Sequence, residues 1–328
     1  MKQRRRHFLF VTAVATVICV LSIPGADQMV WAQQARTIKI IVPFPPGGPT
    51  DFLARVLAEQ IGRVNGATLV VENRPGAGST VGTDAASRAP ADGNTLLIYS
   101  KEALINPHVR KVNYDPLQGF EPICRLVTSP TVYSVNSASP YRTLADLIDD
   151  ALAKPGTLTL AASGPASPFQ IGFEVFRRAA KVNMTFVPFQ GGAPAVNALL
   201  GGHVSSTLNT FSAVEEQVKA GKLRVIAVAS RSRLEALQEV PTVDELGYRD
   251  YEVDIWYGIV APAKTPVAAI AQLIDWITVA IQVPEVRAKL TTQALNPDAL
   301  CGADYAALLR KQFEEYGRVI REANIKAE

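Results

Sequence analysis

Apolar and polar positions along this chain change period again and again. The run TIKIIVPF (37–44) is apolar apart from Lys39 and rich in β-branched residues, as suits a strand buried on both faces. It leads into DFLARVLAEQIG, where Phe52, Leu53, Val56, Leu57 and Ile61 fall on one helical stripe. The alternation continues through strand ATLVVEN, the turn RPGAGST, a small helix around Asp84–Arg88 and strand NTLLIYS. Further on, TLTLAAS precedes FQIGFEVFRRAA, TFVPF precedes APAVNALLGG, VSSTLNT precedes SAVEEQVKAG, and LRVIAVAS follows. Strands alternating with helices predict an α/β protein of mainly parallel sheets flanked by helices. The C-terminal part is helical: TPVAAIAQLIDWITVAIQ and DYAALLRKQFEEYGRVI each carry an apolar stripe that must dock on an earlier sheet.

Two short apolar strands, TVYSVN (131–136) and YGIVAP (257–262), read as crossings between two domains. They divide the chain into domain one, 37–130 plus 257–328, and domain two, 131–256. Two strand-like crossings form a hinge, and a hinge between α/β domains leaves a cleft.

The first residues carry a different pattern. A basic start, MKQRRRHFLF, an apolar stretch too short for a membrane span, and VWA before position 33 read as a secretory signal over residues 1–32. Arg5-Arg6-His7-Phe8-Leu9 also fits the twin-arginine pattern, so general and twin-arginine export both stand. Either route exports the protein.

Charge changes the picture once that segment is removed. The full chain has 33 Lys+Arg and 30 Asp+Glu, and the signal takes four of the first and one of the second, leaving 29 of each. A near-neutral protein argues against nucleic acid as a partner. Cys124 and Cys301 remain, far apart in sequence, and fit either a disulfide or two buried thiols.

The strand-to-helix junctions share one chemistry. PFPPGGPTD sets Gly47 and Gly48 before Thr50, an expected N-cap, and SGPASPFQ sets Gly164 and Ala166 before the N-cap Ser167. PFQGGAP holds Gly191 and Gly192, and NTFSAVE offers a capping box of Ser212 with Glu215. Helix N-termini present unpaired N–H groups and partial positive charge, and glycine lets a ligand approach the backbone. In parallel α/β sheets these junctions gather at the strands' carboxyl ends, which favours a bound carboxylate or phosphate.

Catalytic arrangements are scarce. No glycine pair leads into Lys-Ser or Lys-Thr, so a P-loop is excluded, and PGAGSTVG has the wrong spacing for a dinucleotide fingerprint. His108 and His203 stand in no metal-binding spacing, and no G-x-S-x-G elbow exists. Asp51 is the one candidate general base, but an aspartate there more often steadies a helix start. No cofactor, metal or catalytic residue is expected, and binding without chemistry leads over an enzyme acting on a carboxylate. A periplasmic interaction protein whose cleft has lost its ligand is the third reading.

Several motifs in order, VPFPPGGPTDFLARVLAEQI, VVENRPGAGSTVGTDAASRAPADGNTLLI, LGGHVSSTLNT, GKLRVIAVAS, VPTVDELGY and WYGIVAPAKTP, resemble the solute receptors of tripartite tricarboxylate transporters, the Bug family. The likeness runs from about Ile38 to Ile325. It implies a type II periplasmic binding-protein fold with two α/β domains closing over a small carboxylate. The closed form would be offered to a membrane transporter or a sensor. Carried over by position, it implies ligand contacts at Pro45, Gly47, Gly48, Thr50 and Asp51, with Ser100 on the same side. In domain two it implies Ser163, Gly164, Ala166, Ser167, Gly191, Gly192 and Ala193.

This chain departs from the family pattern at positions that bear on the ligand. Ala166 replaces a glycine, Gln170 stands at a usual histidine, and Phe189 with Gln190 replaces a tyrosine-lysine pair. The usual aspartate of the strand after the glycine pair is Asn209. Losing that charge disfavours a ligand ammonium and eases admission of a second carboxylate, so a ligand without an amino group is expected. Phe44, Phe169 and Phe189 could line an apolar wall.

Overall fold

The computed structural model describes residues 37–326. The expected signal segment, 1–32, lies outside the described residues.

In chain order the elements are β1 Thr37–Val42, α1 Pro49–Asn65, β2 Thr68–Asn73, α2 Thr80–Ser87, β3 Thr95–Ser100, α3 Lys101–Val109, β4 Phe120–Ser129 and β5 Thr131–Asn136. There follow α4 Leu144–Ala153, β6 Thr159–Ser163, α5 Pro168–Ala179, β7 Thr185–Phe189, α6 Gly192–Leu200, β8 Ser206–Thr210, α7 Phe211–Lys219 and β9 Leu223–Val228. The last are β10 Ile255–Pro262, α8 Val267–Gln282, α9 Pro284–Thr291, β11 Asn296–Cys301 and α10 Gly302–Ala323.

The strands form a six-stranded sheet in the order β11-β4-β10-β3-β1-β2 and a five-stranded sheet in the order β7-β6-β8-β5-β9. Both are mixed. The strands with a regular helical crossover run parallel, while β10 and β11 run against the first sheet and β5 against the second. The reversals have a simple origin. β5 and β10 enter their sheets from the other sheet rather than through a covering helix, so nothing imposes the parallel direction on them.

Period-two alternation splits each sheet's side chains between two cores. In the first lobe Ile38, Ile40, Val42, Leu96 and Ile98 face α1, α8 and α9, while Ile41, Leu97 and Tyr99 face α3 and α10. In the second, Tyr133, Val135 and Leu160 pack on α4 and α5, while Val132 and Ala161 pack under α6 and α7.

The lobes are joined where β4 runs through Pro130 directly into β5, and where residues 253–255 lead into β10. These crossings lie side by side: Ser129 pairs with Ile255, and the Val253 N–H donates to the Ala229 carbonyl, whose own N–H donates to Thr131. Helix α10 starts beside β11 and ends beside α5, where Arg178 and Glu322 form an ion pair between the lobes.

The two cysteines are joined. Cys124 on β4 and Cys301 at the end of β11 are register partners, with Cα atoms 4.0 Å apart and a disulfide between them.

Candidate functional site

In the first lobe the chain leaves β1 and turns through Gly47, which has φ +83°, into α1. The N-cap is Gly48, with Pro49 as the first helical residue, so Thr50 lies inside the helix rather than capping it. Proline explains the difference, since its fixed φ and missing N–H suit the first helical position and set the cap one residue earlier. Pro45 is exposed, and Thr50 and Asp51 are buried.

Asp51 is committed to this loop. One carboxylate oxygen accepts from the Gly47 N–H at 3.0 Å and from Arg55 Nε at 2.9 Å, and the other from Asn73 Nδ2 at 3.0 Å. Asn73 Nδ2 also donates to the Phe44 carbonyl at 3.2 Å, closing the loop against β2. The Arg55 hydrogen bond, helped by Gly47 and Asn73 and opposed by burial, draws the Asp51 carboxyl down to about 2. Such a group is a poor general base; it holds the shape of the loop.

Ser100 caps α3 at the end of β3, is 1% exposed, and its Oγ makes no hydrogen bond to a described residue.

In the second lobe the Ser163–Ser167 loop uses left-handed backbone at Gly164 and Ala166, with φ of +60° and +51°. Gly164 donates to the Phe189 carbonyl at 2.8 Å, tying this loop to the end of β7. Ser167 caps α5 by accepting from the Gln170 N–H at 3.2 Å, with Pro168 next, as the sequence predicts. The Gln170 side chain folds back, its Oε1 accepting from the Ala166 N–H at 2.7 Å. Ala166 and Ile171 pack in an apolar cluster formed mostly by α3, β3 and α10, so this loop meets the first lobe.

Gly191, at φ +124°, precedes α6, whose first residue is Gly192. A Cβ on Gly192 would lie 2.9 Å from Asn209 Oδ1, so only glycine leaves room for the Asn209 amide there. Asn209 is 1% exposed and its Nδ2 lacks a partner among the described residues. Phe189 is half-buried and Ala193 exposed. The expected capping box of Ser212 and Glu215 is absent, because β8 passes into α7 at Thr210, which is the N-cap. Ser212 instead donates to Thr210 Oγ1, and Glu215 pairs with Lys219.

Buried polar atoms are normally hydrogen-bonded, so unpartnered ones mark places where a partner is missing. Besides Ser100 and Asn209 they include Thr131 Oγ1, which faces Thr210 in register at the first crossing. Ser79, 2% exposed at φ +77° before α2, is another. Ser79 and Thr131 were not among the residues expected from sequence. The run GST before a helix was the available signal for Ser79, and none marked Thr131. The structure thus brings together Ser163, Gly164, Ala166, Ser167, Gln170 and Phe189 in one linked set of loops. It joins Gly191 and Gly192 to Asn209 in a second. The hydrogen bonds that Asp51 and Asn73 make to the 44–51 loop stay within the first lobe.

At the hinge itself sits Asp254, 8% exposed, accepting from the Thr131 N–H at 3.3 Å and from the Ser230 hydroxyl. Burial pushes its carboxyl up to about 6, against the Ser230 hydrogen bond and the Lys101 charge. No group of three or more His, Cys, Asp or Glu residues that could hold a metal occurs among the described residues.

The arrangement suits a small anion held by backbone N–H groups and neutral polar side chains. Known proteins resemble this chain over most of its length. The model of the tripartite tricarboxylate transporter family receptor matches residues 53–325. Protein BugT of Bordetella pertussis is 34% identical over 297 residues, covering 89% of this chain and 90% of its own. A TctC solute-binding protein from Polaromonas superposes with a TM-score of 0.79 at 25% identity, over 88% of this chain and 99% of its own. Two Rhodopseudomonas palustris structures are also similar. Rpa4515 with adipate has a TM-score of 0.71 at 28% identity, over 90% of this chain and 99% of its own. MatC with bound malate has 0.69 at 26%, over 88% and 99%.

Proposed function

Because the chain belongs to the tripartite tricarboxylate transporter receptor family, whose members are solute-binding receptors and not enzymes, we propose that it captures a small carboxylate lacking an amino group and delivers it to a membrane transporter. The capture takes place in the periplasm, between domain one (37–130 and 257–328) and domain two (131–256), which close about the two crossings. The ligand's first carboxylate is held by the glycine-bearing junctions of the two domains: Gly47 and Gly48 on one side, the Ser163–Ser167 loop and Gly191–Gly192 on the other. Ser100 adds a hydroxyl.

The observation that carries the finer reading is the Asn209 amide. It is buried beneath the first turn of α6, and its Nδ2 has no partner among the described residues. The Nδ2 donor hydrogen-bonds readily to an anionic oxygen, and the neutral amide offers no negative charge to pair with a ligand ammonium. Adipate and malate, bound in two of the similar structures, carry two carboxylates and no amino group, which fits that donor.

A thermal-shift panel on protein stripped of ligand by unfolding and refolding tests this. The panel contains adipate, malate, aromatic carboxylates, aspartate and glutamate. The expected hits are carboxylates without an amino group. Asn209→Asp should weaken a dicarboxylate hit at least tenfold, because a carboxylate facing a carboxylate in a desolvated site is repulsive. Stabilisation by aspartate or glutamate alone, or an unchanged affinity in N209D, would overturn the ligand assignment and leave the receptor class standing.

A further inference from the structure

Lys101 is the first residue of α3, directly after the cap Ser100, yet only 2% of its surface is exposed. It lines a cavity of about 30 Å³ whose other walls come from both lobes. Pro168, Ile171, Gly172 and Val175 of α5 form one wall, and the 250–253 segment leading to the hinge forms the next. Gln312, Glu315 and Tyr316 of α10 complete it. Lys101 makes no ion pair within 4.0 Å to a described residue. A buried ammonium without a close counter-ion is costly and depends on carboxylates farther away.

Those carboxylates sit mainly across the lobe boundary. Burial is the largest influence on Lys101 and holds its ammonium below the usual lysine range. Among the charges that oppose it Glu252 and Asp254 are strongest, Glu102 follows from its own helix, and Arg125 of β4 acts with burial. Asp250 and Glu315 also face the cavity, and α5 contributes no charged side chain to it. Glu252 shares its charge, since it is paired with Arg231 beyond β9 at 2.5 Å. Asp254 has no cationic partner within 4.0 Å among the described residues, and it grips the hinge through the Thr131 N–H and the Ser230 hydroxyl.

We propose that Lys101 and Asp254, assisted by Glu252, form an electrostatic latch across the hinge that holds the lobes together while Asp254 is ionised and releases them when it is protonated. Protonation removes a negative charge that offsets the buried Lys101 ammonium and leaves that ammonium costlier to bury. The lobes then part to rehydrate Lys101. Burial raises the Asp254 carboxyl to about 6, which puts this proton within reach of ordinary changes in external pH. The proposal rests on the division into two moving lobes and not on the identity of the ligand.

Small-angle X-ray scattering of the purified protein without added carboxylate, in phosphate from pH 8 down to pH 5, reads the outcome. The wild type should expand as pH falls through about 6. Asp254→Asn should be independent of pH and as expanded as the wild type at pH 5. Lys101→Met should be independent of pH and as compact as the wild type at pH 8, because no buried charge is left to rehydrate. A wild type whose radius of gyration does not change overturns the latch, and so does a transition that survives in either variant. If D254N fails to fold, as near-ultraviolet circular dichroism would show, K101M alone decides the matter.

Discussion

At the residue scale the most informative side chain is Asp51, a carboxylate that stabilises a loop from inside. Its folded-state carboxyl lies near 2, below the unfolded value of 3.8, so its contribution is fully present above pH 4 and is lost as pH falls towards 2. The shift corresponds to roughly 2 kcal/mol at neutral pH. Asp51→Asn should therefore lower unfolding stability by about 1–2 kcal/mol at pH 7, read by urea denaturation, and the gap from wild type should shrink to about a third of that at about pH 2.5 and close only below about pH 2. A gap that stays constant across that range would mean the carboxylate charge contributes nothing and the variant's loss is steric. The sequence made Asp51 legible as a helix-start carboxylate but gave no sign of Asn73, 22 positions away, which receives no local cue for its role. Thr50 has the residue type of a cap, but Pro49 favours the first helical position and leaves Gly48 as the cap. Lys101 and Asp254 were hidden for a different reason. A single charge at the end of an apolar run reads as a solvated terminus, and only the approach of the other lobe buries it.

At the scale of elements, helices were more legible than their ends. The stripe of Leu53, Val56, Leu57 and Ile61 lies against the first sheet as its spacing predicts. Ser212 and Glu215 have capping-box spacing, yet β8 runs straight into α7 and moves the cap to Thr210. Spacing identifies a pattern that could cap; the length of the preceding strand decides where the helix starts. The cysteines follow the same logic. Their pairing depends on β11, a short strand broken by Pro297 that carries no apolar alternation and was not read from sequence. Once β11 lies against β4, Cys301 and Cys124 are opposite one another. The disulfide then anchors the start of α10 to the first sheet across 177 residues of chain. Replacing both cysteines by alanine should cost about 2–5 kcal/mol, the usual range for a native disulfide, read as a lower midpoint in guanidinium. Limited proteolysis should locate the damage at β11 and the base of α10. An unchanged midpoint would show that packing of α10 alone holds this edge of the sheet.

At the scale of the whole molecule, alternation of strand and helix carried the α/β architecture, and the two apolar segments TVYSVN and YGIVAP marked where one sheet gives way to the other. The strand directions there could not be read, since parallel and antiparallel strands buried on both faces have the same composition. The candidate site was legible as a set of glycine-bearing helix starts, because backbone N–H groups need no particular side chain. The rest was not, because Asn209 comes to lie opposite Val132, and Thr131 opposite Thr210, only through pairing of β5 with β8. A ligand that touches both lobes has a global consequence. At a hundredfold excess over its dissociation constant it adds about 2.7 kcal/mol to the folded state. With an unfolding entropy of about 2.1 cal/mol/K per residue, a protein of this size should melt about 4 °C higher. The same ligand should make the protein more compact, because contacts to Gly47–Gly48 and to Gly191–Gly192 are made together only when the lobes approach. Calorimetry and scattering on one sample at pH 8, where the Asp254 carboxyl is ionised, would read both effects. A higher melting temperature with no change in radius would place the ligand on a single lobe, and closure would then have to be driven by the membrane partner rather than by the solute.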